Sequence, residues 1–360
     1  MIGLNRVLIA SAGAGKTSRI VKDALSVDRS SRVLITTFTR NNVAEITSKI
    51  QNEVGIVPAN ITVMPWFTFI LRELVRPYQN YFYRPERTRS LAYVSGRSDR
   101  YAPKTDKGRY FFNKGGDVYS DKISELALSC NHASSGRVLA RLEERFGHVF
   151  IDEVQDFAGY DLDILKLFLS ARFSVDLIGD YRQAILSTNQ SPKYKKYRAS
   201  GILILFESWW AQGICTLSYE TTSHRCVSSV CAFSDLVFPD APKTSSTNIR
   251  QTGHDGVYVV STKHLHKYVE RYAPQILRHS KANRCEGLPA MNFGISKGLT
   301  FQRCLIFPTS KIKKYLVSGN PSDLSDRELF YVSVTRARQS VAFVHDGDVG
   351  IPDVRRFVPT

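Results

Sequence analysis

The feature that most constrains this chain is a run of small residues, ASAGAGKTS at positions 10–18, which directly follows the apolar segment RVLIA. Such residues make poor core material, but at positions 12–15 they let backbone N–H groups close around an anion. A helix that starts just after the run would add the positive end of its dipole. The stretch fits the pattern AxxxxGK[ST], with Ala10 in place of the first glycine, and predicts a phosphate-binding loop between a strand and a helix.

The last residues of this loop indicate which groups would meet a nucleotide. In such a loop Lys16 neutralises the β- and γ-phosphates, and Thr17 offers its hydroxyl to Mg²⁺. We therefore expect a nucleoside triphosphate and Mg²⁺ as cofactors. The candidate nucleotide-binding residues are Ala12, Gly13, Ala14, Gly15, Lys16, Thr17 and Ser18.

A second element, HVFIDEVQD at residues 148–156, supplies the acidic groups that nucleotide hydrolysis needs. Its apolar residues predict a strand that ends in two adjacent carboxylates. Asp152 would hold Mg²⁺ together with Thr17, and Glu153 would orient and deprotonate the attacking water. A solvated turn that happens to carry Asp-Glu is the alternative, but the apolar strand and the upstream loop disfavour it.

Composition limits the class of protein. The 360 residues suffice for two domains, and a formal net charge of +16 attracts polyanions, of which nucleic acid is the commonest. A basic surface kept for solubility is the alternative. No apolar run approaches a membrane span, and Asn5 and Arg6 interrupt the N-terminus before a signal-peptide core could form, so we expect a cytoplasmic protein. The six cysteines form no CxxC pair, and we expect reduced thiols and no zinc.

The order of apolar runs predicts an α/β fold. Short runs rich in Val, Ile and Leu alternate with helical segments, which is typical of parallel sheets covered on both faces. Two such series predict a first domain over residues 1–200 and a second over 201–360. An insertion at about 72–135 in the first domain mixes basic and aromatic residues. That mixture either holds single-stranded nucleic acid, with Arg97 and Arg100 as candidate contacts, or forms a small subdomain with an aromatic core; the pattern does not decide.

A series of segments then resembles, in order, the motifs of the UvrD/Rep-like branch of superfamily-one helicases. They are LITTFTRNNVAEITSKI (34–50), ITVMPWFTFILREL (61–74), DEVQD (152–156), LIGDYRQAI (177–185), TTSHRCVSSV (221–230), ISKGLTF (295–301) and LFYVSVTRAR (329–338). The resemblance implies two RecA-like P-loop NTPase domains with parallel sheets. It also implies roles for Gln183 as a sensor of the γ-phosphate, for Arg225 as a phosphate contact and for Arg336 as an arginine finger.

The same resemblance implies contacts with nucleic acid. Thr39 and Arg40 lie in the segment that touches DNA in the family, and Trp66 and Phe67 are candidates for stacking on bases. Ser18 and His224 occupy positions where the family commonly sandwiches adenine between an arginine and a tyrosine, so ATP and other NTPs both remain open.

The function implied is a nucleic-acid-dependent NTPase that moves along, or unwinds, single-stranded DNA, with RNA not excluded. A regulatory subunit that gates a partner such as a nuclease is the rival hypothesis, because residues 240–292 leave no room for the family's large second-domain insertion. A P-loop kinase or GTPase is disfavoured, since it would not need VTRAR and KGLTF.

Overall fold

The computed structural model describes residues 5–85, 87–94, 96–98 and 102–359. Its contacts divide the chain into two compact units. Unit 1 comprises Met1–Ile9, Lys16–Tyr181 and Leu186–Ser218, and unit 2 comprises Ala10–Gly15, Arg182–Ile185 and Tyr219–Thr360. Two short segments thus pack with unit 2 although they continue strands of unit 1. The predicted boundary at residue 200 stays a prediction, because this division follows packing and not chain order.

A six-stranded sheet forms the centre of unit 1. The strands of unit 1 are β1 (Arg6–Ala10), β2 (Val33–Thr37), β3 (Ile61–Pro65), β4 (Leu91–Ala92), β5 (Val118–Tyr119), β6 (His148–Ile151), β7 (Ser174–Gly179) and β8 (Thr216–Glu220). The order in the sheet is β3-β2-β6-β7-β1-β8, and the pairings from β3 through to β1 are parallel. Strands β2, β6 and β7 are almost wholly buried, as expected of parallel strands covered on both faces.

The helices of unit 1 pack on this sheet or belong to the insertion. They are α1 (Lys16–Ser26), α2 (Arg40–Val54), α3 (Trp66–Phe69), α4 (Gln79–Phe82), α5 (Lys107–Phe111), α6 (Ile123–Ala133), α7 (Arg137–Arg145), α8 (Tyr160–Leu169) and α9 (Ile202–Ala211). Helix α2 begins where the Thr39 side chain accepts a hydrogen bond from the Asn42 backbone N–H, and it ends at Gly55 with a positive φ of 83°. Helix α3 continues into a π-helical turn, Ile70–Val75.

The sequence of the insertion left open whether its aromatic residues form a core or face solvent, and the structure shows both. Tyr110, Phe111 and Phe112 are buried and pack against one another, so the segment has an aromatic core of its own. Tyr81 and Tyr93 are exposed, with 50% and 65% of their surface accessible. The insertion is therefore a small subdomain that also presents rings to solvent.

A second six-stranded sheet forms the centre of unit 2. The strands of unit 2 are β9 (Thr222–Ser223), β10 (Ser245–Ser246), β11 (Gly256–Val260), β12 (Gln275–Arg278), β13 (Met291–Asn292), β14 (Phe301–Phe307), β15 (Ala337–Val344) and β16 (Val354–Arg356). The sheet order is β13-β12-β14-β15-β11-β16, and every pairing in it is parallel. The helices are α10 (Ser228–Asp235), α11 (Leu265–Tyr272), α12 (Ser310–Ser318) and α13 (Arg327–Val334).

The two parallel sheets confirm the predicted α/β fold class with two RecA-like domains and a small insertion in the first. All six cysteines are buried. Within the described ranges, no helix combines the length and the apolar character that a membrane span requires.

Candidate nucleotide site and nucleic-acid interface

The predicted phosphate loop lies where the sequence placed it, between strand β1 and helix α1. Gly13 and Gly15 have φ angles of +80° and +73°, a conformation that costs an L side chain roughly 1–2 kcal/mol. The Ala14 N–H donates to the Ser11 carbonyl at 3.0 Å and closes the turn. Helix α1 begins at Lys16, so this side chain stands at the positive end of the helix dipole.

Within unit 2 the loop packs closely against the segment that carries Arg225. The Ser223 hydroxyl donates to the Ala12 carbonyl at 2.8 Å, and the His224 N–H donates to the Gly13 carbonyl at 2.9 Å. A Cβ atom built on Gly13 would lie 2.6 Å from Arg225 Cβ, far inside van der Waals contact. Only glycine at position 13 permits this approach, which sets Arg225 next to the loop.

The acidic pair lies at the carboxyl end of strand β6. Asp152 is buried, and burial together with the charge of Glu153 raises its pKa well above the usual range, while Lys16 opposes the rise. The Glu153 N–H donates to Asp152 Oδ1 at 2.9 Å, and Glu153 itself has a positive φ of 54°. A non-glycine residue in this conformation is strained, and strain of this kind concentrates at functional sites.

Gln155 fixes the orientation of Glu153. Its side-chain amide donates to Glu153 Oε2, while its Oε1 accepts the Asp180 N–H at 3.0 Å. The amide thereby connects the end of β6 to the end of β7. Gln155 suits this position because its amide donates through nitrogen and accepts through oxygen, whereas an ionised glutamate could only accept.

The residues around Asp152 fit a divalent cation. Asp152 is a buried carboxylate that directly precedes a second carboxylate, Glu153, and a divalent cation would offset both negative charges. In the part of the chain that the structure describes, no cluster of three or more His, Cys, Asp or Glu side chains could enclose a metal. Mg²⁺ is commonly held by one or two carboxylates together with substrate phosphates, and Asp152 with Thr17 suits that mode.

Two residues predicted to sense the γ-phosphate contact each other in unit 2. Arg336 is 1% exposed, and its Nη2 donates to Gln183 Oε1 at 2.9 Å. Its Nε and Nη1 donate to the carbonyls of Val332 and Leu299 at 3.0 and 3.2 Å. Arg225 donates to the Thr335 carbonyl at 3.2 Å. Gln183, Arg225 and Arg336 are therefore parts of one hydrogen-bonded region.

Sequence reasoning missed Arg182, the residue just before Gln183. This guanidinium is almost fully buried; it donates to the Ser11 hydroxyl at 2.7 Å and lies 3.6 Å from the buried carboxylate of Asp235. It also stacks over the Tyr331 ring, with 4.9 Å between the guanidinium carbon and the ring centroid. An arginine in a polar turn reads as a surface residue, so no sequence signal marked it.

Comparison with known proteins supports the family prediction. Residues 69–191 match the family model of the UvrD/REP helicase N-terminal domain. This part of the chain is therefore similar to the UvrD/REP helicase N-terminal domain. The matched residues include Asp152, Glu153 and Gln183, whereas the phosphate loop lies outside them.

Comparisons with curated proteins and with solved structures add no argument about function. No curated protein matches this chain. A solved structure of arterivirus nonstructural protein 10, a helicase in complex with DNA, is similar with a TM-score of 0.47 and 16% sequence identity. The similarity covers 95% of this chain and 61% of that one, so this chain spans about three fifths of the arterivirus protein's length.

The predicted nucleic-acid contacts of the UvrD/REP-like protein differ in their exposure to solvent. Arg40 is exposed at the first turn of α2, next to its cap Thr39. Arg97 is exposed in the insertion, and Arg100 lies outside the described residues.

Trp66 and Phe67 do not fit the predicted stacking role. Trp66 is fully buried, and its indole N–H donates to Asp161 Oδ1 at 2.7 Å. Phe67 is buried edge-on against Phe38, with 5.7 Å between ring centroids. Both rings belong to the first turn of α3, which directly follows β3, and they pack in the interior of unit 1, so no face is left for a base.

Proposed function

We propose that this UvrD/REP-like protein is a nucleic-acid-dependent NTPase that uses Mg²⁺ and acts as a translocase or helicase on single-stranded DNA. The observation that carries the proposal is the placement of two groups on one sheet: Lys16 begins helix α1 after strand β1 and its loop, and the buried Asp152 directly follows strand β6. A phosphate-loop lysine and an acidic strand end brought together in a parallel sheet form the usual frame of nucleotide hydrolysis.

Each residue in this frame has a definite task. Lys16 would neutralise the β- and γ-phosphates, and Asp152 with Thr17 would hold Mg²⁺, which supplies positive charge to the phosphates when bound. Glu153 would accept the proton of the attacking water, because Gln155 holds its carboxylate in place. We also propose that the protein binds ATP in preference to other nucleotides. Single-stranded DNA would activate its hydrolysis.

Arg336 would respond to the γ-phosphate through Gln183. Its Nη2 donates to the Gln183 side chain, and a phosphate oxygen is a stronger acceptor than an amide oxygen. Nucleotide binding would therefore exchange the amide for phosphate, and the arginine would stabilise charge as it develops during transfer.

The test is the turnover of ATP, GTP, CTP and UTP, each with and without single-stranded DNA. Lys16→Ala should abolish turnover, whereas Lys22→Ala, which removes an exposed lysine from the same helix, should leave it unchanged. Wild-type turnover in the Lys16 variant would overturn the proposal.

Glu153→Gln separates binding from chemistry. The amide keeps the size of the side chain but cannot accept a proton, so nucleotide affinity should be retained while hydrolysis is lost. Loss of affinity together with hydrolysis would assign Glu153 to the structure of the site and not to proton transfer.

A further inference from the structure

A cleft of about 390 Å³ lies in unit 1, and no residue of the phosphate loop lines it. Its walls come from three parts of the chain that are distant in sequence: the insertion, the first residue of α8, and residues 191–193. Four cations face it, with two tyrosine rings between them. They are Arg97, Lys104, Lys122 and Lys193, and the rings are those of Tyr110 and Tyr160. The volume falls at the small end of the roughly 300–1,000 Å³ typical of small-ligand sites.

Two of these cations are already neutralised. Lys104 lies 2.5 Å from Glu125 Oε1, and Lys193 lies 2.7 Å from Asp163 Oδ2. Their charges are balanced within the protein, and they hold the walls of the cleft together. Arg97 and Lys122 are the two other cations of the cleft, and Asp121 is its other carboxylate besides Glu125.

Lys122 is the unusual member of the set. Only 8% of its surface is exposed, and its ammonium lies 4.0 Å from the centroid of the Tyr110 ring. Among the described residues no carboxylate forms an ion pair with it. Burial lowers its pKa, and the charges of Asp121 and Glu125 only partly offset this effect. A cation with so little water around it attracts an incoming anion far more strongly than a surface lysine does.

The cleft is joined to the predicted catalytic box by hydrogen bonds within unit 1. The Asp156 carbonyl, at the end of DEVQD, accepts the Thr188 N–H at 2.8 Å, and its carboxylate accepts the Leu186 N–H at 3.3 Å. One residue further on, the Asn189 side chain donates to the Asp121 carbonyl at 3.1 Å. These bonds form a continuous path from the cleft wall to the end of DEVQD.

We propose that this cleft holds one nucleotide of a single strand. The backbone phosphate of that nucleotide would bind Lys122, and Arg97 would contact the strand at the rim of the cleft. The inference rests on the proposed function and names a subsite for its activator. A strand fits better than a free phosphate because Arg97, exposed at the cleft, would meet the phosphate of a neighbouring nucleotide.

The experiment compares Lys122→Met with Lys107→Met. Methionine keeps the aliphatic packing of the lysine and removes the charge. Lys107 is a close match, because it also lies 4.0 Å from an aromatic centroid, that of Phe82, in the same insertion but outside the cleft walls. Affinity for a fluorescent oligodeoxythymidylate is measured across a salt series, and basal NTP turnover is measured without a strand.

Lys122→Met should weaken strand binding about tenfold at low salt. It should also reduce the slope of log affinity against log salt by about 0.7, the value for one lost phosphate contact on a single strand. Basal turnover should equal that of the parent, strand stimulation should fall, and Lys122→Arg should restore binding. Lys107→Met should bind as the parent does.

An unchanged salt slope in Lys122→Met, or an equal loss in Lys107→Met, would overturn the proposal. If thymidine monophosphate competes with the oligonucleotide at equal concentration, the cleft binds a free nucleotide and not a strand. That result would also overturn the proposal. A parent protein that binds the strand through Lys122 but shows no turnover would refute the proposed NTPase and leave this subsite standing. If Lys122→Met fails to fold, Arg97→Gln at the exposed rim should show the same loss of slope, and no loss there refutes the subsite.

Discussion

Substitution of Gly13 by alanine tests how closely the phosphate loop packs in unit 2. Gly13 has a φ of +80°, and a Cβ at this position would lie 2.6 Å from both Arg225 Cβ and Ser223 Oγ. Arg225 Cβ is fixed to the backbone, and Ser223 Oγ is held by its hydrogen bond to the Ala12 carbonyl. Either the loop or the segment that carries Arg225 must therefore move to accommodate a methyl group.

The cost has two parts that a control can separate. A left-handed φ costs an alanine roughly 1–2 kcal/mol, and overpacking adds typically about 1–3 kcal/mol. Gly253, also in unit 2, has a nearly equal φ of +77° and nothing within 4 Å of its built Cβ. Gly253→Ala should thus lose the first part only, and Gly13→Ala should lose about 1–3 kcal/mol more.

The assay is urea unfolding of both variants and the parent, followed by two probes because a chain of two units need not unfold in one step. If the proposed function holds, Gly13→Ala should also bind nucleotide more weakly, whereas Gly253→Ala should not. Equal losses of unfolding free energy in the two variants would refute the close approach of Gly13 to Arg225.

Three further outcomes follow from buried ionisable groups in unit 2. Arg336→Ala should lower NTP turnover by about 10³–10⁵ with little change in nucleotide affinity, measured by steady-state assay and titration; near-normal turnover would exclude an arginine finger. Arg182→Met should cost about 3–5 kcal/mol in urea unfolding, because the buried Asp235 loses its cationic partner; a loss below 1 kcal/mol would contradict that role. His254 lies between the rings of Tyr258 and Tyr272, and burial and nearby arginines lower its pKa to about 4. Since the unfolded chain binds this proton from about pH 6.5, unfolding free energy should fall by about 1–3 kcal/mol as the pH drops from 6.5 to 4. His254→Phe should remove this part of the pH dependence, and an unchanged profile would contradict the assignment.

The sequence by itself determined the features that depend on local geometry. Gly13 and Gly15 adopt the positive φ angles that a tight loop requires, and Asp152 with Glu153 follows an apolar strand, as their spacing predicted. The alternation of apolar runs predicted two parallel sheets, because burial on both faces leaves a direct signature in composition. The match of residues 69–191 to the UvrD/REP helicase domain confirmed the family that the motifs suggested.

Only the tertiary structure decided which side chains are inside. The motif position of Trp66 suggested an exposed ring, yet its indole is buried against Asp161, while Tyr93 of the insertion faces solvent. Arg182 and Lys122 read as surface cations and are buried, one beside Asp235 and the other over Tyr110. Burial of a side chain depends on which distant segments of the chain meet around it, and the local sequence pattern does not encode those contacts. The cations whose chemistry is most altered by desolvation are therefore those that the sequence could not single out.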